Sequence, residues 1–434
     1  MKIQSLIASQ KSKFFFIFCI AFLFRYLFSY FSGIDNFDGP DNHRYMVQSD
    51  EILDGNFNLE TKLFITAPLF PYLLAAFKWI FASNYILALE AFQIILSSIS
   101  AACLMLTAKI IFNSERVALL SGLAFCVFPI TLYYTHQFSQ ESIFQSLFII
   151  SIYFFCSFMS NTKTKNLFLF SIIFSLALLT KSIILPIFPL LIMAAIFKFK
   201  FSKKTILQLS LSIITVFIVT LPYGLYNKAV NNTYVISSSG QGGLFLTGHN
   251  NDFYAYVTNP PASDSLEYRR LKNMDYQIFD KLALDIKDQD HKTQQDIYLD
   301  AGIRWVLENP KKASHLTLVN IRNFLMPGYN IFHHPFHLWL LTFLMSLPVF
   351  TFAYIEIIRG LRAAPLNHLP IASIFAGMLS VSIIFYAQNR FRAVTIEPYY
   401  LMYACSFIIY ILENKFKFLR KKIINNYSSD SKFL

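Results

Sequence analysis

Long apolar stretches recur along the chain and are separated by short polar turns. Most of them approach the roughly 20 helical residues that cross about 30 Å of hydrocarbon. The pattern predicts about ten transmembrane helices, within a range of about nine to twelve because two stretches are short. The predicted spans are residues 12–32, 85–112, 116–135, 142–160, 167–180, 182–197, 205–224, 335–358, 369–387 and 396–414.

The composition supports a membrane protein. Of the 434 residues, 55% are hydrophobic and 14% are charged, whereas soluble domains carry roughly 25% charged residues. This deficit excludes a soluble globular enzyme, a disordered chain and a disulfide scaffold. We therefore expect an all-α polytopic membrane protein.

The net charge of +12 reflects membrane topology. When the spans are threaded alternately from a cytoplasmic N-terminus, nearly all basic clusters lie on the cytoplasmic side, among them residues 198–204 and 415–422. This is the positive-inside bias of membrane proteins. The charge therefore predicts cytoplasmic N- and C-termini and no nucleic-acid partner.

The same threading predicts how the chain divides between the two sides of the membrane. We expect an N-terminal transmembrane module at 1–224 with a first outer loop at 33–84, an outer loop or small domain at 225–334, transmembrane helices at 335–414 and a basic cytoplasmic tail at 415–434.

The first outer loop concentrates acidic residues in a chain that has few of them. Asp38 and Asp41 follow the first span closely, and carboxylates at a membrane face suit a general base or a divalent-cation site. Apolar residues at helical intervals after Pro40 predict a short interfacial helix, in which Asp41 is also a plausible helix cap. Residues 67–81 predict a second interfacial or re-entrant helix that begins with prolines.

Ionisable residues also gather at the other predicted outer turns. Glu141 lies in one turn, Lys181 in the next, and Arg390 and Arg392 in the last. Each basic residue taken singly also fits a lipid-headgroup anchor. Together with the acids, they predict an outward cavity that binds a phosphate or pyrophosphate.

A glycine-rich segment, residues 240–248, opens the large outer stretch and ends beside His249 and Asn250. Such a segment exposes backbone donors and side-chain amides to a polar ligand, or forms an ordinary tight turn. No Gly-Lys-Ser/Thr follows it, so it is not a nucleotide-binding Walker loop.

Several motifs occur in a consistent order between about residues 20 and 414. They are Asp41-Asn-His-Arg44-Tyr45, Ala67-Pro68-Leu-Phe-Pro71, Phe128-Pro129 followed by Glu141, Leu179-Thr-Lys181, Gly248-His249-Asn250-Asn251, Glu308-Asn-Pro310, and Arg390-Phe-Arg392 followed by Glu397-Pro398. Together they resemble the GT-C glycosyltransferases. The nearest branch is the group of protein mannosyltransferases, lipid A aminoarabinose transferases and bacterial lipopolysaccharide-core sugar transferases.

This resemblance implies transfer of a sugar from a polyprenyl-phosphate donor to a glycan, lipid or protein acceptor. Asp41 corresponds to the catalytic aspartate of the family, with Asp38 as an alternative, and Glu141 corresponds to its second outer acid. The predicted donor-phosphate and substrate-binding residues are Arg44, Tyr45, Lys181, His249, Asn250, Arg390 and Arg392. The chain departs from the family at Thr66-Ala67-Pro68, where many members carry a basic residue. No cofactor is certain, and a divalent metal at Asp41 and Glu141 is left open.

Two other classes of protein are weighed against this interpretation. A transporter or flippase would carry ionisable residues at mid-span and show similarity between its halves, whereas here these residues gather at one face. A polysaccharide polymerase or ligase shares the outward cations but does not explain the early aspartate loop and its proline-rich helix. We therefore expect a glycosyltransferase of the bacterial inner membrane whose active site faces the periplasm.

Overall fold

The computed structural model describes residues 9–32, 40–55, 66–262, 264–328 and 336–430. Within these ranges the chain forms α-helices and two short 3₁₀-helices, Ala82–Asn84 and Ser182–Ile184, with no strand. The helices are α1 (Gln10–Ser32), α2 (Pro40–Leu53), α3 (Leu69–Phe81), α4 (Tyr85–Phe112), α5 (Glu115–Cys126), α6 (Pro129–Thr135), α7 (Gln140–Asn161), α8 (Thr164–Thr180), α9 (Ile187–Phe199), α10 (Lys203–Asn231), α11 (Gln241–Gly248), α12 (Asn251–Thr258), α13 (Leu266–Lys272), α14 (Gln277–Ile286), α15 (His291–Glu308), α16 (Pro310–Leu325), α17 (Phe336–Ala363), α18 (Pro365–Ile384), α19 (Asn389–Thr395) and α20 (Glu397–Asp430).

The expected all-α polytopic membrane architecture is confirmed. Among the described residues, seven helical stretches are long and apolar enough to cross a membrane, and two bent helix pairs raise the number to nine if each pair is one span. The helix α8 is apolar but shorter. The seven stretches are Gln10–Ser32, Leu69–Phe112, Gln140–Asn161, Ser182–Phe199, Lys203–Val230, Trp339–Ala363 and Pro365–Ile384.

Two of the predicted spans are bent or broken at one end. The predicted span 116–135 is divided into α5 and α6, which meet at 52°. The backbone of Phe128 is extended there, and Pro129 is the first residue of α6. Proline is favoured at the first position of a helix but disrupts a helix when it lies in the interior. The second bend, of 58°, separates α19 from α20 and lies at the last predicted outer turn.

The helix α2 begins at Pro40, where the pattern predicted a short interfacial helix. It packs on α3 through a buried cluster of apolar and aromatic residues: Tyr45, Phe70, Leu74, Leu89, Phe138 and Ile143. The second predicted interfacial helix differs in its connection. It forms α3, which continues through the 3₁₀-helix into α4 and forms with it one apolar stretch of 44 residues.

Close packing joins the helices α11–α16, which form the predicted outer stretch, to the transmembrane helices. At Gly248, the end of α11, an added Cβ would lie 2.1 Å from the backbone oxygen of Phe385. Tyr386 continues this contact, because its ring lies 5.6 Å from that of Phe253 on α12. The outer helices therefore pack against the segment 385–388, which leads directly into α19.

Candidate active site

The acid at the start of α2 lies beside a cation from the far end of the chain. Asp41 Oδ2 accepts a hydrogen bond from Arg390 Nη1 at 3.1 Å. The same nitrogen lies 4.0 Å from Glu141 Oε1, so one guanidinium lies close to both predicted acids. Arg390 is oriented in turn by Gln388, whose Oε1 accepts from Nε at 2.8 Å.

Glu141 also forms a short, buried ion pair. Lys181 Nζ donates to Glu141 Oε1 at 2.6 Å, and both side chains are 7% exposed. Lys181 lies over the ring of Phe391, 5.0 Å from its centroid. A buried charge is costly unless an opposite charge lies close to it, so Glu141 and Lys181 depend on each other for their ionised forms.

Helix packing brings these four charged groups together. Tyr45 packs edge-on against Phe70 at 4.9 Å between ring centroids, and Phe70 packs against Phe138 at 5.9 Å. This stack holds α2 against the segment that precedes Glu141. Gln145 on α7 donates to the backbone oxygen of Ala393 on α19 at 3.3 Å, which holds the helix of Arg390 beside that of Glu141.

Two further predicted residues lie at this cluster. Arg44 Nη2 lies 3.7 Å from Asp41 Oδ1, one helical turn away, and both side chains are exposed. Tyr45 is buried, and burial together with the negative charges of Glu141 and Asp41 raises the pKa of its hydroxyl well above the ordinary value. Tyr45 therefore stays protonated and retains a hydroxyl donor.

Arg392 is held differently from Arg390. Its Nε donates to Glu397 Oε1 at 2.8 Å, and both side chains are buried. Its other nitrogens donate to four backbone carbonyl oxygens, those of Asn323, Phe324, Met326 and Gly328. These contacts join α19 and α20 to the end of α16, which favours a structural role over the predicted phosphate contact.

His249 and Asn250 also make their hydrogen bonds within their own segment. Asn250 Oδ1 caps α12 by accepting from the backbone N–H of Phe253 at 2.8 Å, and its amide donates to the backbone oxygen of Leu246 at 2.7 Å. His249 Nδ1 lies 3.0 Å from the backbone oxygen of Phe245, and burial lowers the pKa of its imidazole. This geometry favours the turn that the sequence offered as the alternative to a ligand site. Asp38, the alternative to Asp41, lies outside the described residues.

A set of polar residues on α4 holds the segment before Glu141, and the sequence did not single them out. Gln93 Nε2 donates to the backbone oxygens of Thr135 and Gln137 at 3.1 and 3.0 Å. Glu90 Oε1 lies 2.9 Å from Nδ1 of His136. Together, Gln93 and Glu90 position the turn that connects α6 to α7.

A further polar residue on the same face of α4 contacts the first span, α1. Ser97 Oγ accepts from Arg25 Nε at 2.7 Å and lies 3.1 Å from the hydroxyl of Thr135. The sequence does carry a signal for these contacts, because the polar residues Glu90, Gln93 and Ser97 are spaced three and four residues apart within an apolar helix and so share one face. Polar residues on one face of a membrane helix mark a helix contact or a functional pathway.

The two acids are already paired with the protein's own cations. Arg390 lies close to Asp41 and Glu141, and Lys181 contacts Glu141. Among the residues that the structure describes, no group of three histidine, cysteine or acidic side chains is arranged to hold a metal ion. The described acids of the cluster are thus paired with cations and form no metal-ligand set, and no step proposed below involves a metal ion.

Part of the chain matches a known protein family. Residues 66–226 match the family model described as dolichyl-phosphate-mannose-protein mannosyltransferase. A comparison with the sequences of curated proteins returned no match.

Solved structures of the Archaeoglobus fulgidus oligosaccharyltransferase have a similar fold. The apo form has a TM-score of 0.56 at 15% identity and is matched over 95% of this chain and 52% of its own. The complex of AglB with an inhibitory peptide and a dolichol-phosphate has a TM-score of 0.53 at 13% identity, over 95% and 51%. The complex with Zn and sulfate has a TM-score of 0.54 at 14% identity, over 92% and 49%. The present chain thus spans about half the length of these proteins.

The fold and the family match agree with each other. The chain is an all-α polytopic membrane protein, and its similarity to the mannosyltransferase family model and to the oligosaccharyltransferase fold agrees with the GT-C resemblance of its ordered motifs. The matched family segment contains Glu141 and Lys181, whereas Asp41 and Arg390 lie on either side of it.

Proposed function

We propose that this protein is a membrane glycosyltransferase. In this proposal it transfers a sugar from a polyprenyl-phosphate-linked donor to an acceptor hydroxyl, at the periplasmic face of a bacterial inner membrane. The observation that carries the proposal is the convergence of Asp41, Glu141, Lys181 and Arg390 from four parts of the chain. The family match to a dolichyl-phosphate-mannose-protein mannosyltransferase supports the choice of an isoprenoid-phosphate donor.

The chemistry follows from exposure and charge. Asp41 is the more exposed of the two acids, at 42% against 7% for Glu141, so it is the acid that an acceptor can reach. Asp41 takes the proton of the acceptor hydroxyl as that oxygen attacks the anomeric carbon. The bond from this carbon to the phosphate oxygen breaks, and its electron pair leaves with the polyprenyl phosphate. A single displacement of this kind inverts the anomeric configuration.

The cations of the cluster act on the leaving group. Arg390 and Lys181 stabilise the negative charge that develops on the departing phosphate. Arg390 is suited to this task because its planar guanidinium donates to phosphate oxygens in pairs. Glu141 keeps Lys181 charged and in place, while Arg44 lies 3.7 Å from Asp41 and Tyr45 is buried beside it on α2.

An apolar cavity is the proposed binding site for the prenyl chain of the donor. It has a volume of about 350 Å³ and lies between the bent pair α5–α6, α17 and the bent pair α19–α20. Tyr133, Met345 and Val349 are among its lining residues, as is Asn389, the neighbour of Arg390. A donor with its first isoprene units in this cavity would present its phosphate towards α19.

The test is transfer by the purified protein in lipid vesicles. The donor is a radiolabelled polyprenyl-phosphate sugar, and the acceptor is the envelope fraction of a strain that lacks the gene. We expect Asp41→Asn to lower kcat by about 10²–10⁴-fold, the range of a lost general base. The matched control is Asp54→Asn, which is expected to retain activity because Asp54 is exposed and lies directly after the C-terminal end of α2.

Two results would overturn parts of the proposal. Wild-type protein that transfers sugar from no polyprenyl-phosphate donor contradicts the function. Unchanged turnover in Asp41→Asn removes this residue from its role, and loss of activity in the companion variant Asp38→Asn would transfer the role to Asp38. Mass spectrometry of envelope glycans from cells with and without the gene identifies the product independently.

A further inference from the structure

A second cavity lies where the end of α8 meets the helices α11 and α15, and its lining includes none of the four charged residues Asp41, Glu141, Lys181 and Arg390. Its volume is about 360 Å³, within the range of about 300–1,000 Å³ that is typical of small-molecule sites. Its walls come from the end of α8, the 3₁₀-helix Ser182–Ile184, the segment 233–241 and the start of α15. The wall segment 233–241 includes the beginning of the glycine-rich motif that the proposed mechanism does not use.

Hydroxyl groups hold this wall against the membrane helices. Ser237 Oγ donates to the backbone oxygen of Leu178 at 2.6 Å, and the hydroxyls of Ser182 and Ser238 lie 2.7 Å apart. On the outer side, the hydroxyl of Ser239 lies 2.9 Å from Nε2 of His291. These contacts arrange the cavity before any ligand enters, which lowers the entropic cost of binding.

The cavity has an apolar side and a polar side. Leu185 is exposed at the start of a membrane-spanning stretch, and the ring of Tyr234 stacks on Phe217 of α10 at 6.5 Å. The lining also includes the exposed polar side chains of Gln241 and, at the start of α15, of Lys292 and Asp296. A ligand that satisfies both sides is an amphiphile whose polar head points away from the membrane.

The charge of the cavity indicates the kind of head group. Among its lining residues, Lys292 and Asp296 are those with full charges, and they are of opposite sign one turn apart on α15. The cavity therefore has no excess of positive charge for an isolated phosphate. Its hydroxyl, amide and carboxylate groups instead offer donors and acceptors in mixture, as the hydroxyls of a sugar require.

We infer that this cavity binds the sugar head group of a membrane-embedded glycolipid. Given the proposed function, on which this role rests, the bound glycolipid is the acceptor. Ser182 in the cavity wall directly follows Lys181 of the acid cluster, so an acceptor held there is close in sequence to the cation that contacts Glu141.

The experiment measures protection of a cysteine in the cavity. The variant Gln241→Cys is prepared with Cys19→Ala, because Cys19 is the exposed natural cysteine and the other four are buried. The protein is placed in lipid nanodiscs and labelled with a membrane-impermeant maleimide. The probes are dodecyl maltoside below its critical micelle concentration, free maltose and dodecylphosphocholine. The matched control is Leu284→Cys, an exposed position on α14.

We expect dodecyl maltoside to slow labelling of Gln241→Cys at concentrations where the other two probes have little effect, and to leave Leu284→Cys unchanged. Adding Lys292→Ala or Asp296→Ala is expected to raise the half-protecting concentration about threefold to tenfold, the effect of one lost hydrogen bond. Equal protection by maltose would replace the glycolipid with a soluble saccharide, and stronger protection by dodecylphosphocholine would replace it with a phospholipid. No protection by any probe overturns the inference.

The outcome is independent of catalysis. Labelling requires no turnover, so protection in a protein that transfers no sugar would preserve the binding site and contradict the proposed function. Sugar transfer by a protein whose Gln241→Cys variant is not protected would support the proposed function and contradict the binding site.

Discussion

Arg390 places Nη1 3.1 Å from Oδ2 of Asp41, although the two residues are 349 positions apart. Each is the second residue of a short helix, α2 or α19, so the contact joins the first outer loop to the last outer turn. A charge pair over this separation exists only when the transmembrane helices between them are correctly packed. The pair therefore reports both on folding and on the proposed chemistry.

The first prediction concerns Arg390. Replacement by Gln is expected to lower kcat about 10²–10³-fold, the typical effect of removing one group that stabilises transition-state charge. Arg390→Lys is expected to recover only part of the activity, because an ammonium keeps the charge but lacks the planar fork that reaches two acceptors. The measurement is kcat and donor KM in vesicles.

Arg116→Gln is the control for Arg390. Arg116 is also an arginine in an ion pair, with Glu413 at 3.1 Å, but it is largely exposed and belongs to a different pair. Wild-type turnover is expected for this variant. If Arg390→Gln also retained its turnover, the proposed role in leaving-group stabilisation would be lost.

The second prediction concerns the buried pair Lys181–Glu141. Lys181→Met is expected to lower the free energy of unfolding by about 3–5 kcal/mol, because it removes one partner of a buried ion pair. The double variant Lys181→Met with Glu141→Gln is expected to be more stable than Lys181→Met, since no unpaired carboxylate remains. Thermal unfolding of the purified protein in detergent measures both. Additive single effects would show that the two charges are not coupled.

The third prediction concerns Gln93, which holds the turn before Glu141 through two backbone carbonyl oxygens. Gln93→Leu is expected to lower kcat about tenfold or more, because each lost hydrogen bond contributes about 1 kcal/mol to the position of that turn. Donor KM is expected to change little. Hydrogen exchange of residues 135–139 is expected to become faster.

The exposed change Leu87→Ala on the same helix serves as the comparison for Gln93. Leu87 is 69% exposed, so its truncation tests only the general sensitivity of α4. Equal losses of kcat in both variants, without faster exchange in the turn, would argue against positioning by Gln93.

The fourth prediction separates the two arginines of the last outer turn. Arg392→Lys is expected to lower the free energy of unfolding by about 2 kcal/mol or more, because lysine cannot replace five hydrogen bonds to fixed acceptors. Activity per folded molecule and donor KM are expected to stay near the wild-type values. A large rise in donor KM without loss of stability would restore the phosphate contact that the sequence predicted.

The fifth prediction concerns metal ions. Because Arg390 lies between Asp41 and Glu141, we expect activity to survive prolonged treatment with EDTA and dialysis. The archaeal oligosaccharyltransferase has been solved in complex with Zn and sulfate, so the opposite result is a defined alternative. Loss of activity with EDTA and its recovery with a divalent cation would mean that a metal ion binds Asp41 and Glu141 in place of Arg390.

Much of the fold was predictable because a bilayer restricts what its helices can contain. Apolar stretches that approach the length needed to cross the hydrocarbon core indicate spans, and the helix after Pro40 followed from a separate amphipathic pattern. The bends at Pro129 and before Glu397 were harder to predict, because an apolar run does not show whether a helix continues straight through it. The connection of α3 to α4 depended on one 3₁₀ turn, which hydropathy does not resolve.

The site residues divide in a similar way. Asp41, Glu141, Lys181 and Arg390 were recognisable as charges at outer turns, since charges near a membrane are costly unless they have partners. The contrast between Arg390 and Arg392 was not visible, because both lie in the same turn two residues apart. The residues on α4 that hold Thr135, His136 and Gln137 were missed, because their spacing of three and four residues marks a polar helix face but does not show which distant groups that face contacts.

The sequence by itself determined the all-α membrane fold and singled out the acids and cations at the predicted outer turns, because hydropathy and charge act on each segment locally. Only the tertiary structure decided which charges meet. Glu141 contacts Lys181 and lies near Arg390, while Arg392 is used by Glu397 and backbone carbonyls. That choice depends on how helices pack and bend, and these geometries arise from contacts between residues far apart in the chain.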